Sequence, residues 1–144
     1  MKTLHAWLVL LVLSLAAAEL GAAQPPQEPA LPFVVQLTRT TSDFGHRRVM
    51  LQLDKVLDDL GDHAVNFTVV AYEEGIHALL ADNEQTAQLV TKLAHRGVVF
   101  KACRISMRAW QLSEDDFPLE VEFIDAGAPE VVRLQMIGYR YWRP

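Results

Sequence analysis

The sequence predicts a single α/β domain with a mostly parallel, five-stranded sheet and helices on both faces, the doubly wound arrangement. Strand-like and helix-like segments alternate along the chain with short connections, which favours parallel pairing through right-handed crossovers. Several strand-like segments are continuous apolar runs, as is typical of strands covered on both faces. Residues 33–144 are enough for one ordinary domain and too few for two.

The first 23 residues resemble a secretory signal peptide, so we exclude them from the fold. Lys2 supplies a short positive region, and residues 6–18 form an apolar stretch that is too short for a comfortable membrane span. Small residues follow, which favours cleavage before Gln24, with cleavage after Ala18 as the alternative. Residues 24–32 hold four of the seven prolines and form a flexible leader. We therefore expect an exported chain with no membrane contact once it is processed.

The first half of the domain predicts strand, helix and strand. Residues 33–37 are a short apolar strand, and residues 65–72 are rich in β-branched and aromatic side chains. Between them, residues 46–60 are the clearest helix, with Ser42 or Asp43 placed to cap its start. The apolar side chains of this helix form one stripe at helical spacing: Val49, Met50, Leu53, Val56, Leu57 and Leu60.

The middle of the domain predicts a short helical turn over residues 76–80 and a second helix over residues 84–96. Asn83 is placed to cap this helix and Gly97 to end it. An apolar run then leads to Cys103 and predicts the third strand.

The last part of the domain completes the sheet. Residues 107–112 are weakly helical, residues 121–124 form a fourth strand, and residues 139–142 form a short terminal strand. A helix over residues 129–137 lies between these two strands, because Pro129 suits its first turn. The terminal aromatic residues, with neighbouring arginines, suit either a subunit interface or the core.

Cys103 is the only cysteine and lies where the third strand ends. Open α/β sheets bind ligands at the carboxyl ends of their strands, so a thiol there could face a cleft. The neighbouring cations Lys101 and Arg104 would favour the thiolate that sulfur chemistry needs. A buried, inert cysteine is the equally weighted alternative, since cysteine is among the most commonly buried residue types.

Acidic residues follow two other strands at the same predicted edge. Glu73 follows the second strand and Asp125 the fourth, so both could shape a rim around Cys103. The simpler interpretation of Glu73 is a residue in a solvated loop. The simpler interpretation of Asp125 is a turn residue or a helix cap.

Several classes of function have no support in the sequence. The histidines show no metal-ligand spacing and no second cysteine exists, so we expect no metal site. The absence of a glycine-rich phosphate loop argues against a nucleotide or other organic cofactor. The net charge of −5, with few clustered cations, argues against a nucleic-acid partner.

The segment around the cysteine resembles a known family. Residues 97–103, Gly-Val-Val-Phe-Lys-Ala-Cys, followed by Ser106 and Met107, are similar to the cysteine-bearing segment of the DsrE/DsrF-like sulfur-relay family. The resemblance extends to Val-Val-Ala-Tyr at residues 69–72. It is also carried by the tail, which is similar to that of exported family members: residues 119–127, 131–135 and 138–144.

This resemblance implies a flavodoxin-like domain that assembles into homotrimers or homohexamers in the periplasm. It also implies a sulfur-carrier or sulfurtransferase role, in which Cys103 holds sulfur as a persulfide and exchanges it with donor and acceptor proteins. Arg104 stands where exported relatives often have glycine, which changes the charge and backbone freedom beside the thiol.

Two further hypotheses stay open. The first is a non-catalytic, oligomeric periplasmic binding or scaffold module whose cysteine is structural. The second, weaker one is a hydrolase that uses the carboxylates of the rim, although their spacing does not favour a paired acid and base.

Overall fold

A computed structural model describes residues 28–39 and 45–144. In this part of the chain, five strands form one sheet: β1 (Leu31–Leu37), β2 (Val65–Ala71), β3 (Val99–Cys103), β4 (Val121–Ile124) and β5 (Arg140–Trp142). Four α-helices accompany them: α1 (Gly45–Leu60), α2 (Ala87–His95), α3 (Arg104–Ala109) and α4 (Gly127–Met136). Short 3₁₀ segments occupy Glu73–Leu79 and Glu114–Asp116. The predicted signal peptide and the candidate caps Ser42 and Asp43 lie outside the described residues.

The strand order is β4-β3-β2-β1-β5, and every pairing is parallel. At the centre of the sheet, Val69 of β2 pairs with Val35 on one side and Phe100 on the other. The chain moves outward from β1 to β4 and then returns to add β5 on the far side of β1. The predicted doubly wound α/β fold is therefore confirmed, and its carboxyl edge brings the ends of all five strands together.

Helices cover both faces of the sheet because side chains alternate along each strand. The face towards α1 and α2 holds the larger core, in which Val35, Phe67 and Phe100 pack against the apolar stripes of the two helices. The opposite face holds a smaller cluster, in which Val34 and Val70 pack beneath two residues of α4, Val131 and Leu134. Among the described residues, no helix is both long enough and apolar enough to cross a membrane.

Three helices begin two or three residues away from the predicted position. α4 begins at Gly127, two residues before the predicted start at Pro129. α2 begins at Ala87, because residues 84–86 form turns in which the Asn83 side chain accepts the N–H of Gln85, 3.1 Å away. Asn83 therefore caps the turn before the helix. α3 begins directly after β3, where packing of the buried Ser106 and Met107 overrides their weak helical pattern.

β1 begins two residues before the predicted strand. Leu31 donates its backbone N–H to the carbonyl of Ala64, 3.0 Å away, and pairs in register with Val65. The strand therefore includes Pro32, which lacks an N–H to donate but occupies its second position.

Candidate functional site

Cys103 is the last residue of β3 and lies at the carboxyl edge of the sheet. Phe100 and Ala102 belong to the core beneath α1 and α2, so the alternation of side chains directs Cys103 to the α4 face. Its exposed fraction is 3%, and it is a free thiol. The thiol is therefore where the sequence predicts it, but it is buried rather than open to solvent.

The sulfur of Cys103 accepts a hydrogen bond from the backbone N–H of Gly127, with an N···Sγ distance of 3.3 Å. Gly127 is the first residue of α4, and the N-terminus of a helix favours negative charge nearby. Cys103 is also the residue that precedes α3, in extended conformation. Two helices thus begin beside the thiol.

Gly127 packs directly against Tyr72, the residue that follows β2. A β-carbon on Gly127 would lie 2.5 Å from Cδ1 of the tyrosine ring, so no larger residue fits here without movement. The Tyr72 hydroxyl accepts a hydrogen bond from the side-chain amide of Gln36, whose carbonyl oxygen accepts one from the Tyr141 hydroxyl. A row of hydrogen-bonded side chains therefore runs from β5 across β1 to β2.

Glu73 is held in the left-handed region of backbone conformation, with φ +52°. Its backbone N–H donates to the Oγ of Ser106, 2.8 Å away, and Ser106 is buried in α3. The Glu73 side chain is exposed at the carboxyl edge. Through its backbone, Glu73 therefore links the end of β2 to α3, the helix that follows Cys103.

The two predicted cations are paired with carboxylates of their own. Nζ of Lys101 lies 2.7 Å from Oε1 of Glu130, on α4. Arg104 pairs with Glu114, and its guanidinium carbon lies 5.4 Å from the centroid of the Phe123 ring. Phe123 packs in the core beneath α1 and α2, so Arg104 extends towards the face opposite the thiol.

The hydrogen bonds of Glu130 alter its acidity. Arg133 and then Lys101 donate to its carboxylate, and together they lower its pKa to about 2 despite the opposing effect of burial. Glu130 is therefore an anion at neutral pH and balances the charge of Lys101 beside β3.

Asp125 follows β4 at the carboxyl edge and is exposed. It lines an open groove of about 500 Å³ between β4 and the first turns of α4, together with Phe123, Ile124, Ala126, Pro129, Glu130 and Arg133. Ile124 pairs in register with Cys103, so this groove lies beside the thiol on the outer edge of the sheet. In the described part of the chain, no group of three or more His, Cys, Asp and Glu side chains is placed to hold a metal ion.

The sequence interpretation missed Tyr72 and Ser106 as neighbours of the site. It placed Gly127 at the same rim as Cys103, but it did not predict that the Gly127 N–H donates to the sulfur. The partners of Tyr72 and Ser106 lie 33 or more residues away in sequence, and local patterns carry no signal for such contacts.

Comparison with known proteins identifies the family. The sequence model of the DsrE/DsrF-like family matches residues 14–143. The chain belongs to this family. Among solved structures, the DsrE/DsrF-like chain is similar to MTH1491 from Methanobacterium thermoautotrophicum, a protein described as of unknown function. The sequences are 27% identical, the TM-score is 0.69, and the match covers 81% of this chain and 100% of that one. No curated protein sequence matches this DsrE/DsrF-like chain.

Proposed function

We propose that this DsrE/DsrF-like protein is a sulfur carrier that holds sulfur as a persulfide on Cys103. The observation that supports it most is the N–H of Gly127, 3.3 Å from the sulfur at the N-terminus of α4. Sulfur transfer needs a thiolate as nucleophile, and a donated N–H at a helix N-terminus stabilises negative charge there.

The proposed reaction moves one sulfur atom without net oxidation. The Cys103 thiolate attacks the outer sulfur of a donor persulfide, R–S–SH. The S–S bond of the donor breaks, a new S–S bond forms on Cys103, and the donor leaves as the thiolate R–S⁻. In the second step an acceptor thiolate attacks the outer sulfur on Cys103 and so regenerates the Cys103 thiolate.

Four neighbouring residues have supporting roles in this proposal. Lys101 projects from the same face of β3 as Cys103 and adds positive charge on that face, whereas Arg104 is adjacent to Cys103 in sequence but extends towards the opposite face. Glu73 and Asp125 follow the flanking strands β2 and β4 and shape the rim. We expect Lys101→Met to slow sulfur loading more than Arg104→Met, because Arg104 extends away from the thiol.

The location and assembly are part of the proposal. The signal-like residues 1–23 support export to the periplasm, and the resemblance to exported family members supports a homotrimer or homohexamer. Donor and acceptor proteins would present persulfides and thiols to the carboxyl edge. Light scattering of the protein without residues 1–23 measures the assembly, and a monomeric mass would contradict it.

Intact mass spectrometry tests the carrier role. The native protein is incubated with a low-molecular-weight persulfide and should gain the mass of one sulfur atom, which a reductant then removes. Because the chain has one cysteine, Cys103→Ser is a matched control that should gain nothing. Failure of the folded wild-type protein to gain sulfur would contradict the proposal.

The burial of Cys103 supports a second candidate, the non-catalytic binding or scaffold module. With an exposed fraction of 3%, the side chain also fits a structural role in the core. A structural cysteine predicts no reaction with thiol reagents until the protein is denatured, and a Cys103→Ala protein that assembles normally.

A further inference from the structure

We propose that Tyr72 is a positioning residue for Cys103, because its ring holds Gly127 so that the glycine N–H points at the sulfur. The inference rests on the proposed function, since it assigns a residue that prepares the thiol for sulfur transfer. The contact joins Tyr72, the residue that follows β2, to the first residue of α4.

Tyr72 and Cys103 lie side by side at the carboxyl edge. Ala71 of β2 pairs in register with Ala102 of β3, so the next residues, Tyr72 and Cys103, are neighbours on the α4 face. Gly127 contacts both of them. Its nitrogen lies 3.3 Å from Sγ, and a β-carbon built on it would lie 2.5–2.7 Å from three carbon atoms of Tyr72.

The close approach of α4 to Tyr72 needs a glycine at position 127. A side chain on Gly127 would have to displace Tyr72 or move α4, because the obstructing atoms include the β-carbon of the tyrosine at 2.7 Å. Glycine carries a conformational cost at the start of a helix, which this contact explains. The ring therefore sets how closely the first turn of α4 approaches β3.

Hydrogen bonds at the far end of Tyr72 fix the orientation of its ring. Gln36 donates to the Tyr72 hydroxyl, and Tyr141 donates in turn to Gln36. Gln36 lies in β1 and Tyr141 in β5, so the ring is directed back across the sheet while its near end contacts Gly127. The aromatic ring is thus fixed at both ends.

The pH profile of alkylation of Cys103 by iodoacetamide tests the inference in the full chain without residues 1–23. Tyr72→Leu removes the ring, and Gly127→Ala displaces it. In both variants we expect the midpoint of the profile to rise by about half a unit to one unit, since the N–H no longer stabilises the sulfur anion. Gln36→Leu, which frees the ring without removing it, should give a smaller rise.

Tyr139→Phe is the matched control. Tyr139 also packs against the α4-face cluster, but its hydroxyl has no part in the row formed by Tyr72, Gln36 and Tyr141. We expect its profile to coincide with that of the wild type. Unchanged midpoints in folded Tyr72→Leu and Gly127→Ala proteins would overturn the inference.

Amide hydrogen exchange of Gly127, followed by NMR, tests the same contact when alkylation is too slow to measure. The Gly127 N–H should be protected in the wild type and should exchange at least about tenfold faster in Tyr72→Leu, while amides of α1 keep their rates. Equal Gly127 rates in the two proteins would also overturn the inference. Neither measurement uses a sulfur donor, so positioning by Tyr72 and the persulfide role can fail independently.

Discussion

Nζ of Lys101 lies 2.7 Å from Oε1 of Glu130, so a largely buried ion pair joins β3 to α4. Arg133 binds the same carboxylate oxygen at 2.8 Å from the solvent side. Lys101 and Cys103 project from the same face of β3. The ion pair therefore helps to hold α4 over the strand that carries the thiol.

The Glu130 cluster predicts acid sensitivity. Because the folded protein lowers the Glu130 pKa from 4.5 to about 2, the unfolded chain binds the proton first as the pH falls. The stabilisation is complete above about pH 4.5 and is lost as the pH falls towards 2. Glu130→Gln should make stability less dependent on pH in this range and should lower the free energy of unfolding by about 1–2 kcal/mol at neutral pH. This loss is smaller than the full pKa shift implies, because water screens the charge of Arg133.

Urea unfolding across this pH range measures the Glu130 effect. Glu122→Gln is the control, since Glu122 is exposed and 3.9 Å from Lys101, and it should cost less than about 0.5 kcal/mol. A Glu130→Gln protein that keeps the wild-type slope would show that other carboxylates cause the acid sensitivity.

His46 predicts a second dependence on pH. Burial lowers the pKa of this imidazole, although the Arg39 carbonyl, 2.6 Å from Nε2, and the charge of Glu74 act in the opposite direction. His77 acts with burial. The unfolded chain therefore takes up a proton more readily, so stability should fall as the pH drops below about 6.5 and level off below the folded pKa.

His46→Phe tests this expectation, because it keeps a buried ring without a titrating group. The free energy of unfolding of His46→Phe should change little between about pH 7 and pH 5, whereas that of the wild type should fall as the pH drops. His95→Gln, at an exposed position at the end of α2, should keep the wild-type slope. The same slope in His46→Phe as in the wild type would rule out His46 as its source.

Two substitutions of Glu73 distinguish the effect of its strained backbone on stability from the role of its carboxylate. Its φ of +52° is a conformation that glycine adopts freely and β-branched residues strongly disfavour. Glu73→Gly should match the wild type or gain up to about 1 kcal/mol of stability, whereas Glu73→Val should lose about 1–2 kcal/mol. Thermal unfolding measures both, and equal stabilities would contradict the strained backbone.

Glu73→Gly and Glu73→Val also test whether the carboxylate at the rim takes part in sulfur transfer. If the Glu73 carboxylate takes part in sulfur loading, both should load more slowly than the wild type despite their opposite effects on stability. Loading at the wild-type rate in Glu73→Gly would exclude this side chain from the site.

Gly75 predicts a large steric effect. A β-carbon there would lie 2.1 Å from the backbone oxygen of Leu37, an atom fixed at the end of β1. Gly75→Ala should therefore cost about 2–4 kcal/mol or prevent folding. Gly97→Ala is the comparison. Nothing lies within 4 Å of a β-carbon built on Gly97, so only its φ of +90° opposes the substitution, at a cost of about 1–2 kcal/mol of stability. Calorimetry that ranks Gly97→Ala as the more damaging would contradict the close approach.

The periodic elements could be predicted because their own side chains specify them. The stripe of α1 and the β-branched run of β2 bury one face or two whatever their neighbours are, so their bounds agree with the sequence pattern to within a residue. α3 is different. Its helical pattern is weak and predicts a start at residue 107, but it begins at Arg104, where contacts with the Glu73–Leu79 turn bury Ser106 and Met107.

The site residues also divide into those whose positions follow from the sequence and those whose directions do not. The position of Cys103 at the end of a parallel strand follows from the apolar run that precedes it, and the rim positions of Glu73 and Asp125 follow from the ends of their strands. The directions of Lys101 and Arg104 do not follow from sequence, because partners on α4 and in the loop before β4 attract each cation.

The sequence by itself determined that this protein has a parallel α/β sheet and one thiol at its carboxyl edge, since both depend on local periodicity. Only the tertiary structure decided what surrounds the sulfur. The N–H of Gly127 comes from a residue 24 positions along the chain, and the Tyr72 ring is oriented by Gln36, 36 positions before it. These contacts exist because β2 and β3 are adjacent in the sheet and α4 crosses back over its face, which no local pattern encodes.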